Sequence, residues 1–124
     1  MCAKILIVDD QQAIRDLLRL TLEPFDCQLY EADNSDDALR LINNDRPDLV
    51  LLDVMLPGTM DGYQVCEKIK SHTQTRSIFV ILLTARGQAA DIERGEAVAA
   101  DEYIVKPFSP VDLRERIGKI CQTL

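Results

Sequence analysis

Five short apolar runs, separated by segments with helical periodicity, constrain the fold of this chain more than any other feature. The runs occupy residues 5–8, 27–32, 49–52, 78–83 and 103–105. Three of them, at 5–8, 49–52 and 78–83, are nearly continuous Ile, Leu and Val, which is typical of parallel strands covered by helices on both faces. The mixed runs at 27–32 and 103–105 are predicted to be sheet edges. The whole chain, residues 1–124, is therefore predicted to be one doubly wound α/β domain of five strand-helix units.

The last predicted helix has the clearest boundaries. Ser109 is a good capping residue and Pro110 fits the first helical position, where its missing N–H costs nothing. Its predicted apolar stripe consists of Val111, Leu113, Ile117, Ile120, Cys121 and Leu124.

Charge and apolar content exclude several classes of protein. The chain carries 14 basic and 21 acidic residues, a net charge of −7, and no basic stripe, so direct nucleic-acid binding is disfavoured. Neither a signal peptide nor an apolar run long enough for a membrane span is present in the sequence, which predicts a cytoplasmic protein without a membrane partner. Four cysteines lie far apart and are predicted to be reduced thiols: Cys2, Cys27, Cys66 and Cys121.

Chemically active side chains follow four of the predicted strands. Asp9 and Asp10 come after the first strand, Asp53 after the third, Thr84 after the fourth and Lys106 after the fifth. Because the carboxyl ends of parallel strands meet at one edge of the sheet, we expect these residues to share a pocket there.

Three carboxylates in one pocket are hard to explain as stabilisers of the fold. Two of them about 5 Å apart repel by roughly 3 kcal/mol at an effective dielectric near 20. Lys106 supplies one positive charge, and a hard, oxygen-preferring divalent ion would balance the rest. The pattern therefore indicates Mg²⁺ held by Asp9 and Asp10, whereas the lack of soft ligands argues against zinc.

Mg²⁺ beside a carboxylate, a lysine and a hydroxyl is suited to phosphoryl transfer. In the absence of a serine or cysteine with an adjacent base, the nucleophile would be a carboxylate, which would become an aspartyl phosphate. Asp53 is the best candidate, because it stands alone at the centre of the sheet edge.

These residues lie in a set of motifs that resembles the receiver domain of two-component response regulators, of the kind found in chemotaxis regulators. The motifs are ILIVDD (5–10), DLVLLDVMLPG (48–58), DGYQV (61–65), LLTA (82–85) and DEYIVKPF (101–108). The resemblance extends along essentially the whole chain, and five motifs in this order and spacing make it highly specific.

The resemblance implies a flavodoxin-like sheet of strand order 2-1-3-4-5 and a role for each matching residue. Asp53 would accept the phosphoryl group. Asp9, Asp10, Asp53 and the backbone carbonyl of Met55 would hold Mg²⁺. Thr84 and Lys106 would contact the phosphoryl group, Thr84 and Tyr103 would form the switch, and the peptide bond between Lys106 and Pro107 would be cis.

The resemblance also implies partners. A sensor histidine kinase or a phosphotransfer domain would donate the phosphoryl group, and a downstream output domain or target protein would read the result. The surface made by the fourth helix, fifth strand and fifth helix would change, and it could form a phosphorylation-dependent homodimer. The chain would catalyse only its own phosphorylation and autodephosphorylation.

Two departures from the family pattern stand out. The loop after Pro57 is one residue longer than usual, which enlarges residues 58–61. Ala99 stands where the family favours Gly, and a left-handed helix end there would cost about 1 kcal/mol. The preceding segment, 88–98, has only Ile92 and Val98 as large apolar anchors, so we expect its helix to be thinly packed.

Two other functions remain open on the sequence. An aspartate-nucleophile phosphatase acting on small phosphate esters would need a second acid two residues after the nucleophile, where this chain has Met55. A flavin-binding domain would need a phosphate loop rich in Gly, Ser and Thr after the first strand. Asp9 and Asp10 occupy that place and would repel a phosphate without a metal.

Overall fold

A five-stranded parallel sheet in the order β2-β1-β3-β4-β5 forms the centre of the protein, as predicted. The structure, a computed structural model, describes residues 3–85 and 89–123, without the side chains of residues 89–92. The thiol of Cys2, the predicted helix residue Gln88, the Ile92 side chain and Leu124 lie outside this description.

Strands and helices alternate along the chain. The strands are β1 (Ala3–Val8), β2 (Cys27–Ala32), β3 (Leu49–Asp53), β4 (Phe79–Thr84) and β5 (Glu102–Val105). The helices are α1 (Gln12–Leu22), α2 (Ser35–Asp45), α3 (Gly62–Ser71), α4 (Ala89–Ala97) and α5 (Pro110–Thr123).

Each face of the sheet has its own apolar core. One core packs α1 and α5 against the sheet through residues such as Leu18, Leu22 and Ile117. The other packs α2 and α3 against the opposite face, with Ile42 and Ile69 among its buried residues. Every residue of β3 is buried, which explains its unbroken apolar sequence up to Asp53.

The last helix begins at Pro110 as predicted, and the Ser109 hydroxyl accepts a hydrogen bond from the backbone N–H of Asp112 at 3.4 Å. The prediction that Val111 belongs to the buried stripe of this helix is wrong, since Val111 is 53% exposed. The buried positions are Leu113, Ile117 and Ile120, and a residue two positions before Leu113 points away from their side of the helix.

Three of the four cysteines lie among the described residues. Cys27, Cys66 and Cys121 are free thiols. Across residues 3–85 and 89–123, no helix combines the length and apolar character needed to cross a membrane.

Ala99 adopts the left-handed backbone conformation expected of it, with φ of 62°. The segment after α4 turns back here, and the N–H of Ala100 donates to the carbonyl of Gly95 at 3.1 Å. An alanine Cβ crowds the backbone in this conformation, so the helix ends at an energetic cost that a glycine would avoid.

Ala99→Gly is expected to raise the free energy of unfolding by about 0.5–1 kcal/mol, because relief of strain outweighs the added freedom of the unfolded chain. Urea unfolding followed by circular dichroism measures this change. Ala97→Gly, in ordinary helical backbone two residues earlier, should lower stability instead. Equal destabilisation by both substitutions would contradict the interpretation of Ala99 as strained.

Candidate functional site

The hydrogen-bonded register of β1 and β3 brings three carboxylates together. Val8 pairs with Leu52, so the next residue of each chain segment, Asp9 and Asp53, lies at the same edge of the sheet. One carboxylate oxygen from each of Asp9, Asp10 and Asp53 lies within 4.8 Å of the others. The acidic cluster predicted from the strand ends is therefore present in the structure.

Lys106 reaches this cluster from the end of β5. Its Nζ lies 2.8 Å from Oδ2 of Asp9 and 3.6 Å from Oδ1 of Asp53. The backbone N–H of Lys106 donates to the carbonyl of Thr84 at 2.7 Å, and the Lys106–Pro107 peptide bond is cis. A single, largely covered ammonium group thus contacts two buried carboxylates.

Asp9 is completely buried and held from several directions. Its Oδ1 accepts a hydrogen bond from the N–H of Gln11 at 2.9 Å, and its backbone carbonyl accepts one from Nη1 of Arg15 at 2.7 Å. Arg15 also forms an ion pair with Glu31 of β2 at 3.1 Å. The sequence alone assigned no role to Arg15. Only the way α1 packs against β2 brings its guanidinium to the Asp9 carbonyl.

Asp53 is 5% exposed and sits in an unfavourable electrostatic environment. Burial, reinforced by the neighbouring charge of Asp9, raises the pKa of the Asp53 carboxyl above its ordinary value. The hydrogen bond from the N–H of Met55 to Oδ1, at 3.2 Å, and the charge of Lys106 lower this pKa but do not cancel the rise. Asp53 therefore lacks sufficient cationic compensation from the residues that surround it.

The donor set fits a hard divalent cation. All three ligand candidates supply carboxylate oxygens, and no sulfur or imidazole belongs to the cluster. Asp10 is exposed, which leaves room for the water ligands that Mg²⁺ retains. The raised pKa of Asp53 is the physical sign that a further positive charge would be favourable here.

A groove of about 620 Å³ opens beside the carboxylates, and its lining includes Asp10, Met55, Tyr63, Thr84 and Arg94. Thr84 is 1% exposed at the end of β4, whereas the side chain of Met55 is largely exposed. Metal binding by the backbone carbonyl of Met55 stays a prediction.

Tyr103, the partner of Thr84 in the predicted switch, lies on the neighbouring strand. It is the second residue of β5 and pairs with Leu82, two residues before Thr84. Since side chains alternate along a strand, Tyr103 still shares a sheet face with Thr84. Its hydroxyl lies 3.2 Å from that of Tyr63, a contact that the DGYQV motif alone did not reveal.

The lengthened loop is folded against the start of α2. The N–H of Ser35 donates to the carbonyl of Pro57 at 3.1 Å, and the Ser35 hydroxyl accepts from the N–H of Met60 at 3.1 Å. Gly58 has φ of 113°, and a Cβ there would overlap the Ser35 hydroxyl. The loop is therefore attached to α2, which sequence reasoning did not predict.

Asp53→Asn is expected to stabilise the metal-free protein at neutral pH, by on the order of 1 kcal/mol, because it removes a buried charge that is incompletely compensated. A folded-state pKa above that of the unfolded chain means that the folded state binds the proton more tightly. Ionised Asp53 thus lowers stability at neutral pH, and this loss disappears as the pH falls towards 3.8. The gain from Asp53→Asn should shrink over the same range.

Urea unfolding in EDTA between neutral pH and about pH 4 measures this dependence. Asp48→Asn makes the same chemical change at the opposite end of β3, where the carboxylate accepts from the N–H of Lys4, and should give no comparable gain. An Asp53→Asn protein no more stable than the wild type at neutral pH would contradict the prediction.

Two known transcriptional regulatory proteins are similar to this chain in sequence. The chain is 42% identical to the phosphate regulon transcriptional regulatory protein PhoB of Escherichia coli over 124 residues, which is 100% of this chain and 54% of PhoB. It is 44% identical to the transcriptional regulatory protein ResD of Bacillus subtilis over 119 residues, 96% of this chain and 48% of ResD. The chain thus spans about half the length of these relatives.

A solved structure has the same architecture. The signal receiver domain of a signal transduction histidine kinase from Syntrophus aciditrophicus superposes with a TM-score of 0.90 at 33% identity, over 99% of this chain and 92% of that one. Residues 5–118 match the response regulator receiver domain as a family. With five motifs, the strand order and the acidic edge in agreement, the chain belongs to the response regulator receiver domain family.

Proposed function

We propose that this chain is a phosphoacceptor, which takes a phosphoryl group from a sensor histidine kinase or a phosphotransfer domain onto Asp53. The observation that carries the proposal is the convergence of Asp9, Asp10 and Asp53 within 4.8 Å, with Lys106 in contact with two of them. Membership of the receiver family supports it.

We give the two oxygens of Asp53 different roles, on the basis of their contacts. Oδ1 accepts from the Met55 N–H and faces Lys106, so Oδ2 is the attacking atom. A bond forms between Oδ2 and phosphorus while the bond from phosphorus to the donor's histidine nitrogen breaks, and that nitrogen keeps the electron pair. Mg²⁺ held by Asp9, Asp10 and Asp53 would offset negative charge on the phosphoryl oxygens.

Two further residues would contact the phosphoryl group. The ammonium of Lys106 already lies 3.6 Å from Asp53 and would form an ion pair with a phosphoryl oxygen. The hydroxyl of Thr84 would donate a hydrogen bond to another. Movement of Thr84 would then favour a different position of Tyr103, whose ring lies on the same face of the sheet.

The exposed apolar side chains near the end of β5 support a protein partner at the surface formed by α4, β5 and α5. Val105 is 44% exposed and Val111 is 53% exposed on this surface. An output domain, a target protein or a second phosphorylated copy of the chain would bind here. We place this activity in the cytoplasm, within a single receiver domain over residues 1–124, and assign it no direct nucleic-acid contact.

The phosphatase alternative lacks structural support. Its second acid would stand at Met55, whose side chain is 66% exposed and apolar. The proposed chemistry is therefore limited to phosphorylation of the chain itself and its reversal.

Incubation with acetyl phosphate and Mg²⁺, followed by borohydride trapping and mass spectrometry, is expected to modify Asp53 alone, because this carboxylate lies at the centre of the sheet edge within 3.6 Å of Lys106, whereas Asp9 is completely buried. Asp53→Asn should abolish labelling, and excess EDTA should prevent it. Asp48→Asn, at the other end of β3, should label like the wild type. Modification at Asp9 or Asp10, or equal labelling in EDTA, would contradict the proposal.

A further inference from the structure

Tyr63 makes a contact between α3 and β5 that lies close to the phosphorylation site. It is the second residue of α3, is 5% exposed, and places its hydroxyl 3.2 Å from the hydroxyl of Tyr103. Two phenol groups that meet in a largely buried position form a hydrogen bond that neither could keep if the Tyr103 ring turned outward.

The guanidinium of Arg94, from α4, lies over the face of the Tyr63 ring. Its central carbon lies 4.4 Å from the centroid of the Tyr63 ring, a cation–π distance. Its Nη2 forms an ion pair at 3.0 Å with Asp61, the N-terminal capping residue of α3. Since both charged side chains are partly exposed, the ion pair alone is weak, but together the contacts fix α4 against the start of α3.

Because Gly95 has no side chain, the Tyr103 ring can pack against the backbone of α4 at this position. A Cβ on Gly95 would overlap Cε2 and Cδ2 of that ring. The ring therefore lies directly against the backbone of α4, in a place where a residue larger than glycine would exclude it.

The start of α3 is in turn attached to the backbone beside Asp53. The N–H of Gly62 donates to the carbonyl of Val54 at 3.0 Å, and a Cβ on Gly62 would overlap the carbonyl oxygen of Asp53. Tyr63 thus directly follows Gly62, the residue that contacts the backbone of Asp53 and Val54.

From this geometry we infer that Tyr63 is a positioning residue, which together with Arg94 and Gly95 holds the Tyr103 ring in its half-buried position. Loss of the Tyr63 hydroxyl shifts the ratio of buried to outward Tyr103 by about fivefold, the equivalent of one ordinary hydrogen bond. The inference rests on the proposed function only in treating Tyr103 as part of the switch. The ring position itself is defined without phosphorylation.

The test uses the full chain labelled with 3-fluorotyrosine, in which ¹⁹F NMR resolves Tyr30, Tyr63 and Tyr103. The shift of each signal between H₂O and D₂O reports its exposure to solvent. Tyr63→Phe is expected to increase the solvent isotope shift of Tyr103 in the unphosphorylated protein. Tyr30→Phe, which removes a hydroxyl 3.2 Å from Gln28 on β2, is the matched control and should leave the Tyr103 signal unchanged.

Gly95→Ala provides a second variant, because its Cβ should expel the ring and move the Tyr103 signal in the same direction as Tyr63→Phe. A Tyr103 signal that is the same in Tyr63→Phe as in the wild type would overturn the inference, whether or not Gly95→Ala folds. Labelling of Asp53 by acetyl phosphate in the same samples separates the two claims. Failure of labelling would contradict the phosphoacceptor function and leave the result for the Tyr103 ring intact.

Discussion

The repulsion between Asp9 and Asp53 is the constraint on which the rest of the site depends. The pairing of Val8 with Leu52 fixes these two carboxylates at one edge of the sheet, so the protein cannot separate them without breaking backbone hydrogen bonds between β1 and β3. At about 5 Å such a pair repels by roughly 3 kcal/mol at an effective dielectric near 20. Lys106 contacts both carboxylates, and burial together with the neighbouring charge of Asp9 raises the pKa of Asp53.

The rigid sheet holds the two carboxylates close together, whereas α4 is held less firmly. Leu49 to Asp53 are all buried, whereas α4 is followed by a strained left-handed residue, Ala99. The contacts of Arg94 with Tyr63 and Asp61 join this helix to α3. The position of α4 therefore depends on side-chain contacts and a strained turn, and not on hydrogen bonds of the sheet. A change of charge at Asp53 would move α4 more easily than it would move the strands.

Features controlled by local residue order could be predicted from the sequence. The apolar runs located all five strands, and the residues after them located the acidic cluster, because parallel strands end at a common edge. The left-handed turn at Ala99 was expected from the family resemblance instead, because Ala99 stands where receiver domains favour glycine.

Contacts between side chains on different helices could not be predicted in this way. The hydrogen bond between Tyr63 and Tyr103 depends on how α3 is rotated over the sheet. The contact of Arg15 with the Asp9 carbonyl depends in the same way on the rotation of α1. Periodicity alone also placed Val111 on the buried side of α5, which is wrong because Leu113 and Ile117 set that side.

The stability of the protein with and without Mg²⁺ tests most directly whether the carboxylates require a cation. Wild-type stability should rise by about 2.7 kcal/mol in urea unfolding when free Mg²⁺ is 100 times its dissociation constant, relative to EDTA. Asp10→Ala should lose most of this increase while remaining at least as stable as the wild type in EDTA. Asp16→Ala, an exposed acid on α1, should retain the increase. Unfolding that is the same in Mg²⁺ and EDTA, or a full Mg²⁺ effect in Asp10→Ala, would contradict the account.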